Sequence, residues 1–372
     1  MTITLEENER LTRVGPGTPA GNVLRRYWWP VWFSDSVTDR PVPVRILGED
    51  LILFRDGRGK TALLERACPH RGASLELGRV EADGIRCCYH GWKFDGAGLC
   101  VDMPAEPANS PLKSEVCLKA YPTQEVSGLV FAYLGPQPAP KLPPYDLLYR
   151  PGMKRTIGAF EEYCNWLQRA ENGVDQMHSA SLHASVYPEI ALQRPNVEWT
   201  SEWYGVHAAF EVPGRQIKHS YFLFPSNSRY FGARVDDLPS HIMRFRVPVD
   251  DVTTRTFFIR AREARGEPET IANTGLVKRE RGVYDRIEDG WWGLASREQD
   301  RAAQESQGLI ADRTREFLAT SDRGVIMFRK MLTQAIADVE RGQDPPGVVR
   351  EDRNDLIVFD TRKVREGKEM IA

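Results

Sequence analysis

Between residues 68 and 90 the chain reads CPHRGASLELGRVEADGIRCCYH, and no other stretch limits the possible folds as much. It holds Cys68-x-His70, then 16 residues, then Cys87-x-x-His90. Two cysteines and two histidines in tight pairs can surround a metal centre in two ways. One is a structural zinc held tetrahedrally. The other is a two-iron, two-sulfide cluster with two thiolates on one iron and two imidazoles on the other. Zinc fingers usually offer both cysteines on one short loop and both histidines on another. Here each loop carries one of each, the order that a cluster with a Cys-only and a His-only iron requires. Pro69, Gly72 and Gly91 can bend loops around such a centre. Cys88, beside Cys87, is expected to point to the opposite face of a strand. Cys100, Cys117 and Cys164 belong to no motif and read as small buried hydrophobes.

At 372 residues two domains, or one large domain with an insertion, are expected. Hydrophobic residues make up 41% and charged residues 27%, enough for a sizeable core. A net charge of −2 gives no pull toward nucleic acid or an anionic membrane. No apolar run approaches the roughly 20 residues that span a bilayer. The acidic opening MTITLEENER lacks the apolar centre of a signal peptide. The six cysteines are therefore read in a reducing cytoplasm and not as a disulfide framework.

The clearest boundary is GPQPAPKLPP, residues 135–144, where prolines exclude regular structure. Before it, Val44-Arg-Ile-Leu, Leu51-Ile-Leu-Phe and Thr61-Ala-Leu-Leu read as short strands, with Asp56-Gly57 as a hairpin signal. After it, residues Phe160 to His183 look helical and roughly Val197 to Arg262 is β-rich. Val325, Phe328, Leu332, Ala335, Ile336 and Val339 then follow the rhythm of one buried helix face. Asp322 can cap that helix, and Gly342 and Pro345 can close it. The second unit reads as α+β, an antiparallel sheet with helices on one side.

Residues 171–183, ENGVDQMHSASLH, contain Asn172-x-x-Asp175-x-x-His178 and then His183. Spacing by three puts the first three near one another on a helix face. His183 lies about 140° further round, so both histidines reach one ion only if the helix ends or bulges, which Ser179 and Ser181 make feasible. Two histidines and a carboxylate on one face of an iron form the facial triad of non-haem Fe(II) oxygenases. Asp175 suits an acceptor that orients His178 rather than a ligand. For the third ligand, residues 297–315 offer Asp300 and Asp312, and spacing alone ranks neither. A cluster with a second iron beside it points to an oxygenase; a cluster alone would mark an electron carrier, and zinc a colourless structural protein. Gly-x-Gly-x-x-Gly is absent, so NAD(P)H oxidation is assigned to another protein.

These motifs closely resemble the Rieske non-haem iron aromatic-ring oxygenases, specifically the phthalate 4,5-dioxygenase oxygenase-subunit group with its O-demethylating members. The likeness also runs through NERLTRVGPGTPAGNVLRRYWWPV, CVDMPAEP and QDRAAQESQGLIADRTREFLATSDRGVI, nearly the whole chain. It implies an all-β Rieske [2Fe–2S] domain over 41–134, after an N-terminal segment 1–40 that packs on the catalytic domain. A linker, 135–145, leads to a helix-grip catalytic domain over 146–372. It implies Cys68, His70, Cys87 and His90 as cluster ligands, and His178, His183 and Asp300, preferred over Asp312, as ligands of a mononuclear Fe(II). Asn172 and Asp175 are the catalytic neighbours, Asp175 bridging His90 and His178 across a homotrimer. The implied partners are O2, an aromatic and carboxylated substrate, and an NAD(P)H-dependent reductase acting directly or through a ferredoxin. The short chain is nearer to the monooxygenases and demethylases of the group than to its ring dioxygenases. The expected pocket holds Trp199, Trp203, Tyr204, Phe210, Tyr221 and Phe222, interleaved with Arg215, Lys218, Arg229, Arg234, Arg244 and Arg246.

Overall fold

Alternating apolar residues over 42–65 form three antiparallel strands, Val42–Ile46, Glu49–Arg55 and Thr61–Glu65, which Ala120–Tyr121 extends to a four-stranded sheet. The computed structural model describes residues 3–359 apart from 108, 187, 189–190, 192, 212–216, 236–237, 287–292 and 354. The hairpin turn comes where Asp56-Gly57 announces it, but Gly59 takes the left-handed conformation (φ 83°). Asp56 Oδ1 accepts from the Arg58 and Lys60 N–H groups and closes the loop. Gly57 matters for another reason: a Cβ there would lie 2.7 Å from Ala82 Cα.

A second four-stranded sheet runs through Arg79–Glu81, Gly84–Arg86, Lys93–Phe94 and Cys100–Asp102. The two sheets share a core that includes Ile52, Phe54, Leu64, Leu75, Ile85 and Phe94, and Cys68 and Cys87 also pack into it. Burying side chains of this size contributes about 1.5–3 kcal/mol each, so this unit does not depend on a metal centre alone. The third sheet is a difference from expectation. Trp28–Phe33 pairs with Leu129–Tyr133, Trp28 opposite Tyr133 and Phe33 opposite Leu129. An aromatic strand buried along its length needs a partner edge, and it finds one in the all-β unit. The two compact units are accordingly Arg25–Ala139, and Met1–Leu24 with Pro140–Ala372.

The larger unit is built on an eight-stranded sheet. From one edge its strands are Asn196–Glu202, Gly205–Glu211, Lys218–Leu223, Asn227–Val235, Leu238–Pro248, Thr254–Glu263, Met153–Glu162 and Thr270–Val277. Only the last pair is parallel among the described strands. The helix expected from Phe160 onward therefore starts late. Phe160–Glu162 ends a strand paired on both sides, and the helix runs Trp166–Val174, capped by Asn165, whose side chain accepts from the Leu167 N–H. Helix Arg323–Glu340 buries Val325, Phe328, Leu332, Ala335 and Ile336, with Val339 only partly covered. Phe328 meets Phe222 of the sheet edge to face, ring centroids 5.0 Å apart. Asp322 occupies the N-cap position, but its carboxylate accepts from the Ala319 N–H (2.6 Å) instead of the helix's first turn. Among the described residues no helix is long and apolar enough to cross a membrane.

Candidate metal centres

The two halves of the 68–90 motif fold into near copies of one loop. Cys68 N–H donates to Ala73 O (2.9 Å) and Cys87 N–H to Trp92 O (2.8 Å), each five residues on. Gly72 N–H returns to Cys68 O and Gly91 N–H to Cys87 O, each four residues on. Both glycines are left-handed, φ 75° and 73°, which is why glycine stands there. Each loop buries its cysteine and leaves its histidine outward, and the two imidazoles meet edge to face at 4.4 Å. Trp92 stacks on His70 (4.4 Å, 9°) and fixes its plane. Arg86 holds the second loop, donating to Gly91 O (2.6 Å) and Asp102 (2.7 Å).

This donor set fits a two-iron cluster and not a zinc. Tetrahedral zinc would gather all four ligand atoms around one point. Among the described residues, the group of metal-binding side chains close enough to share one ion lies elsewhere. Burial pushes the Cys68 thiol up to about 11, so a thiolate here depends on the cation that it would bind. Cys88 is exposed, unlike buried Cys87, and it lies in a turn and not on the far face of a strand. Cys100 and Cys164 are buried; Cys117 is exposed, contrary to its reading as a buried hydrophobe.

The group close enough to share an ion is His178, His183 and Asp300, with ligand atoms all within 4.8 Å of one another. Chain geometry explains how. Helix Trp166–Val174 ends at Asp175, and a single helical turn, Ser179–Leu182, follows, with His178 and His183 at its two caps. The break thus falls before His178, at Asp175. Asp175 Oδ1 accepts from Met177 N (2.8 Å) and His178 N (3.3 Å) and turns the chain there. Asp300 comes from helix Ser296–Ser306. His178 Nε2 and His183 Nε2 stand 3.6 and 3.4 Å from the same Asp300 Oδ1. Metal bonds of about 2.1 Å at right angles set ligand atoms about 3 Å apart, so the triad fits one iron with little adjustment. Asn172 Nδ2 donates to Asp300 Oδ1 (3.3 Å) and sits 3.4 Å from His178 Nε2.

Each imidazole is turned by its other nitrogen. His178 Nδ1 lies 2.6 Å from the backbone oxygen of Asp175 and 3.7 Å from its carboxylate, so Asp175 orients it chiefly through the main chain. His183 Nδ1 lies 2.9 Å from Gln299 Oε1. Burial pushes the His178 imidazolium down, but Asp175 and Asp300 hold it above its ordinary value. Burial raises Asp300, yet His183, His178 and buried Arg169 keep its carboxyl well below the usual carboxylate range. Asp312 is elsewhere: exposed, it caps a 3-10 turn by accepting from Thr314. Sequence reasoning missed Gln299 and Arg169; Gln299 was signalled only by its place next to Asp300.

The expected pocket residues divide between the two faces of the sheet. Phe222, Arg244 and Arg246 lie on the face against the Trp166–Val174 helix, where a Cβ on Gly173 would touch both Phe222 and Arg246. Trp199 joins them, its Nε1–H donating to Val174 O, and alternation puts Phe210 on the same face. Tyr221 and Arg229 are on the other face, Arg229 paired with buried Asp146 (2.9 Å). Tyr204 packs against Tyr221 there, Lys218 is exposed, and Trp203 is largely exposed beneath Arg353. Arg215 and the side chain of Arg234 lie outside the described residues. Arg246 stands out: buried, it donates to Ser226 O and Ser228 Oγ, and no carboxylate pairs with it among the described residues. Burial, then nearby Arg169, pushes its pKa down to about 9.

Residues 27–122 match the Rieske [2Fe-2S] domain family. The chain is 33% identical to the 5,5'-dehydrodivanillate O-demethylase oxygenase subunit of a Sphingobium strain, over 94% of this chain and 84% of that protein. It is 38% identical to phenoxybenzoate dioxygenase subunit alpha of Ectopseudomonas oleovorans, over 91% and 87%. Among solved structures, NdmA of Pseudomonas putida CBB5 with caffeine shares the fold, with a TM-score of 0.71 at 22% identity over 91% of this chain and all of that one.

Proposed function

The chain belongs to the oxygenase subunits of the Rieske non-haem iron family, and from that premise we propose that it hydroxylates or O-demethylates an aromatic carboxylate. The observation that carries this reading is the convergence of His178, His183 and Asp300 within 4.8 Å. An electron carrier has no use for a second, buried, three-ligand site. When bound, a mononuclear iron supplies O2 activation on the open side of its three ligands, and the cluster supplies electrons one at a time at a potential raised by its imidazoles.

The chain's own residues do the rest. The Asp175 backbone carbonyl and Gln299 Oε1 hold the two Nδ1 hydrogens and so leave both Nε2 lone pairs for metal. Burial works against the Asp300 carboxylate, but the histidines beside it and buried Arg169 lower its pKa and favour the form that would bind metal. Asn172 donates to the Asp300 carboxylate and limits how far it can swing. Trp199, Phe210 and Phe222 supply apolar wall. Arg246, a buried cation with no acid paired to it among the described residues, suits a substrate carboxylate. Both relatives act, by their names, on benzoate- or vanillate-type molecules, which supports the same substrate class.

Electrons come in this reading from an NAD(P)H-dependent reductase, directly or through a ferredoxin, and pass between copies of a homotrimer. Asp175 then stands between His178 and His90 of the partner subunit. Its Oδ1 is used by its own turn, and Oδ2 makes no hydrogen bond among the described residues. Six free cysteines suit a reducing cytoplasm. The test is chemical analysis followed by turnover. The purified chain should hold about three irons and two acid-labile sulfides. With a reductase and labelled O2, ring hydroxylation leaves label on the ring, and O-demethylation leaves it in formaldehyde. Two irons, two sulfides and no labelled product from any aromatic acid would make the chain an electron carrier.

A further inference from the structure

One side chain outside the ligand set is tied to the iron triad more closely than its neutral character announces. Gln299 is fully buried, immediately precedes Asp300, and sits in the first turn of helix Ser296–Ser306. Its Oε1 lies 2.9 Å from His183 Nδ1, and its Nε2 donates to Ser185 Oγ at 2.9 Å. Ser185 is two residues past His183, in the turn that ends the short helix. The amide therefore spans 116 positions of sequence and clasps His183 from both sides.

With its NH2 on Ser185, the Gln299 amide presents its oxygen to His183, and an oxygen can only accept. His183 must then carry its proton on Nδ1, which leaves Nε2 as the lone pair 3.4 Å from Asp300. The two histidines are treated differently. His178 leans on a main-chain oxygen that no substitution can remove, beside the Asp175 carboxylate. His183 Nδ1 faces an uncharged side chain, which makes the ring a weaker donor to metal than a carboxylate-backed imidazole. We propose that Gln299 is the positioning residue of the iron site: it fixes the tautomer and plane of His183 and locks that ring to the helix carrying Asp300.

The inference rests on the reading of His178, His183 and Asp300 as an iron site. The test is ferrous ion binding to the cluster-loaded chain, measured in competition with a chromogenic ferrous chelator, with no turnover involved. Gln299→Leu keeps the volume but cannot accept; iron affinity should fall about 10- to 100-fold. Gln299→Glu keeps an acceptor oxygen at similar reach and should recover most of that loss. Ser185→Ala frees the amide's donor end and should cost less than Gln299→Leu. A purely structural role would lower the melting temperature of Gln299→Leu and leave iron affinity unchanged in the folded protein, which overturns the inference. Equal losses in Gln299→Leu and Gln299→Glu overturn it too, since an acceptor would then not matter. If the wild-type chain bound no ferrous ion beyond its cluster, the iron-site reading itself would fall, a distinct result.

Discussion

The two metal centres are assembled by opposite strategies. The cluster site is local: two loops of near-identical hydrogen bonding, each closed within five residues, supply one cysteine and one histidine apiece. The proposed iron site is remote: His178 and His183 flank one helical turn, and Asp300 arrives from a helix joined to them by contacts such as His183 to Gln299, 116 residues apart. Local loops bring their own geometry, so the cluster unit needs its glycines and its core. The remote site needs two helices held in register, and buried hydrogen bonds between them do that. Gln168 Nε2 donates to Gln304 O (2.9 Å) and Gly308 O (3.0 Å), and Arg169 Nη1 donates to Gln304 Oε1. Removing one partner of such a buried bond costs about 1–3 kcal/mol.

The largest effects should follow from removing ligands on either side of this contrast. Cys68→Ser should lose the cluster's visible absorbance and all turnover. It should also lower the melting temperature of the smaller unit, because metal binding is folding energy there. The larger unit, with its own core, should keep its ferrous ion, and a chain that lost both centres together would break the comparison. His183→Ala and Asp300→Ala should each bring product below detection and remove the mononuclear iron, with the cluster still reducible by dithionite. Retention of iron by Asp300→Ala would show that the third ligand has been misassigned.

The same contrast governs how much could be read from the sequence. The proposed cluster ligands could be picked out because chemistry and spacing coincide within 23 residues. The histidines were legible, but not the fold that joins them: the helix breaks at Asp175, where the side chain caps its own turn, and no periodicity reports that. Asp300 over Asp312 came from resemblance, since both sit among polar residues and only tertiary packing buries one of them. Gln299 was invisible because its partner is 116 positions away. Trp28–Phe33 was assigned to the wrong unit for a related reason, its partner strand being Leu129–Tyr133. Long-range pairing, in each case, decided what local pattern left open.

Next in size is Asp175→Asn. Its Oδ1 caps the turn before His178, and an amide oxygen can do the same. The His178 ring is held mainly by the backbone carbonyl, which the substitution leaves in place. Iron content should therefore stay near wild type and the cluster should still reduce. Turnover should fall about 10- to 100-fold or more, because the charge proposed to link the two centres is gone. Single-turnover rate, iron content and sedimentation on one preparation sharpen the point. Normal electron transfer with full iron would sink the bridge, and a fully active monomer would sink the inter-subunit route altogether.

The smallest effect should come from Asp312→Ala, and it bears most directly on the comparison. Asp312 and Asp300 are two aspartates on one polar stretch, separated in function only by where the chain places them. Asp300 is 9% exposed and faces two imidazoles. Asp312 is exposed, and its carboxylate accepts from Thr314 N (3.1 Å) and Thr314 Oγ1 (2.6 Å). Those two bonds hold the start of the turn Arg313–Arg315, whose Arg313 reaches back to Glu171 at 2.8 Å. Glu171 precedes Asn172 on helix Trp166–Val174, so among the described residues Asp312 connects to the metal site through a turn and two ion pairs, Arg313 and Arg329 on Glu171. Those pairs should hold without the cap. Asp312→Ala should then shift the melting temperature by about a few degrees at most, with iron content and kcat unchanged. A loss of iron in this variant, comparable to that of Asp300→Ala, would mean that the two carboxylates share the role the geometry gives to one.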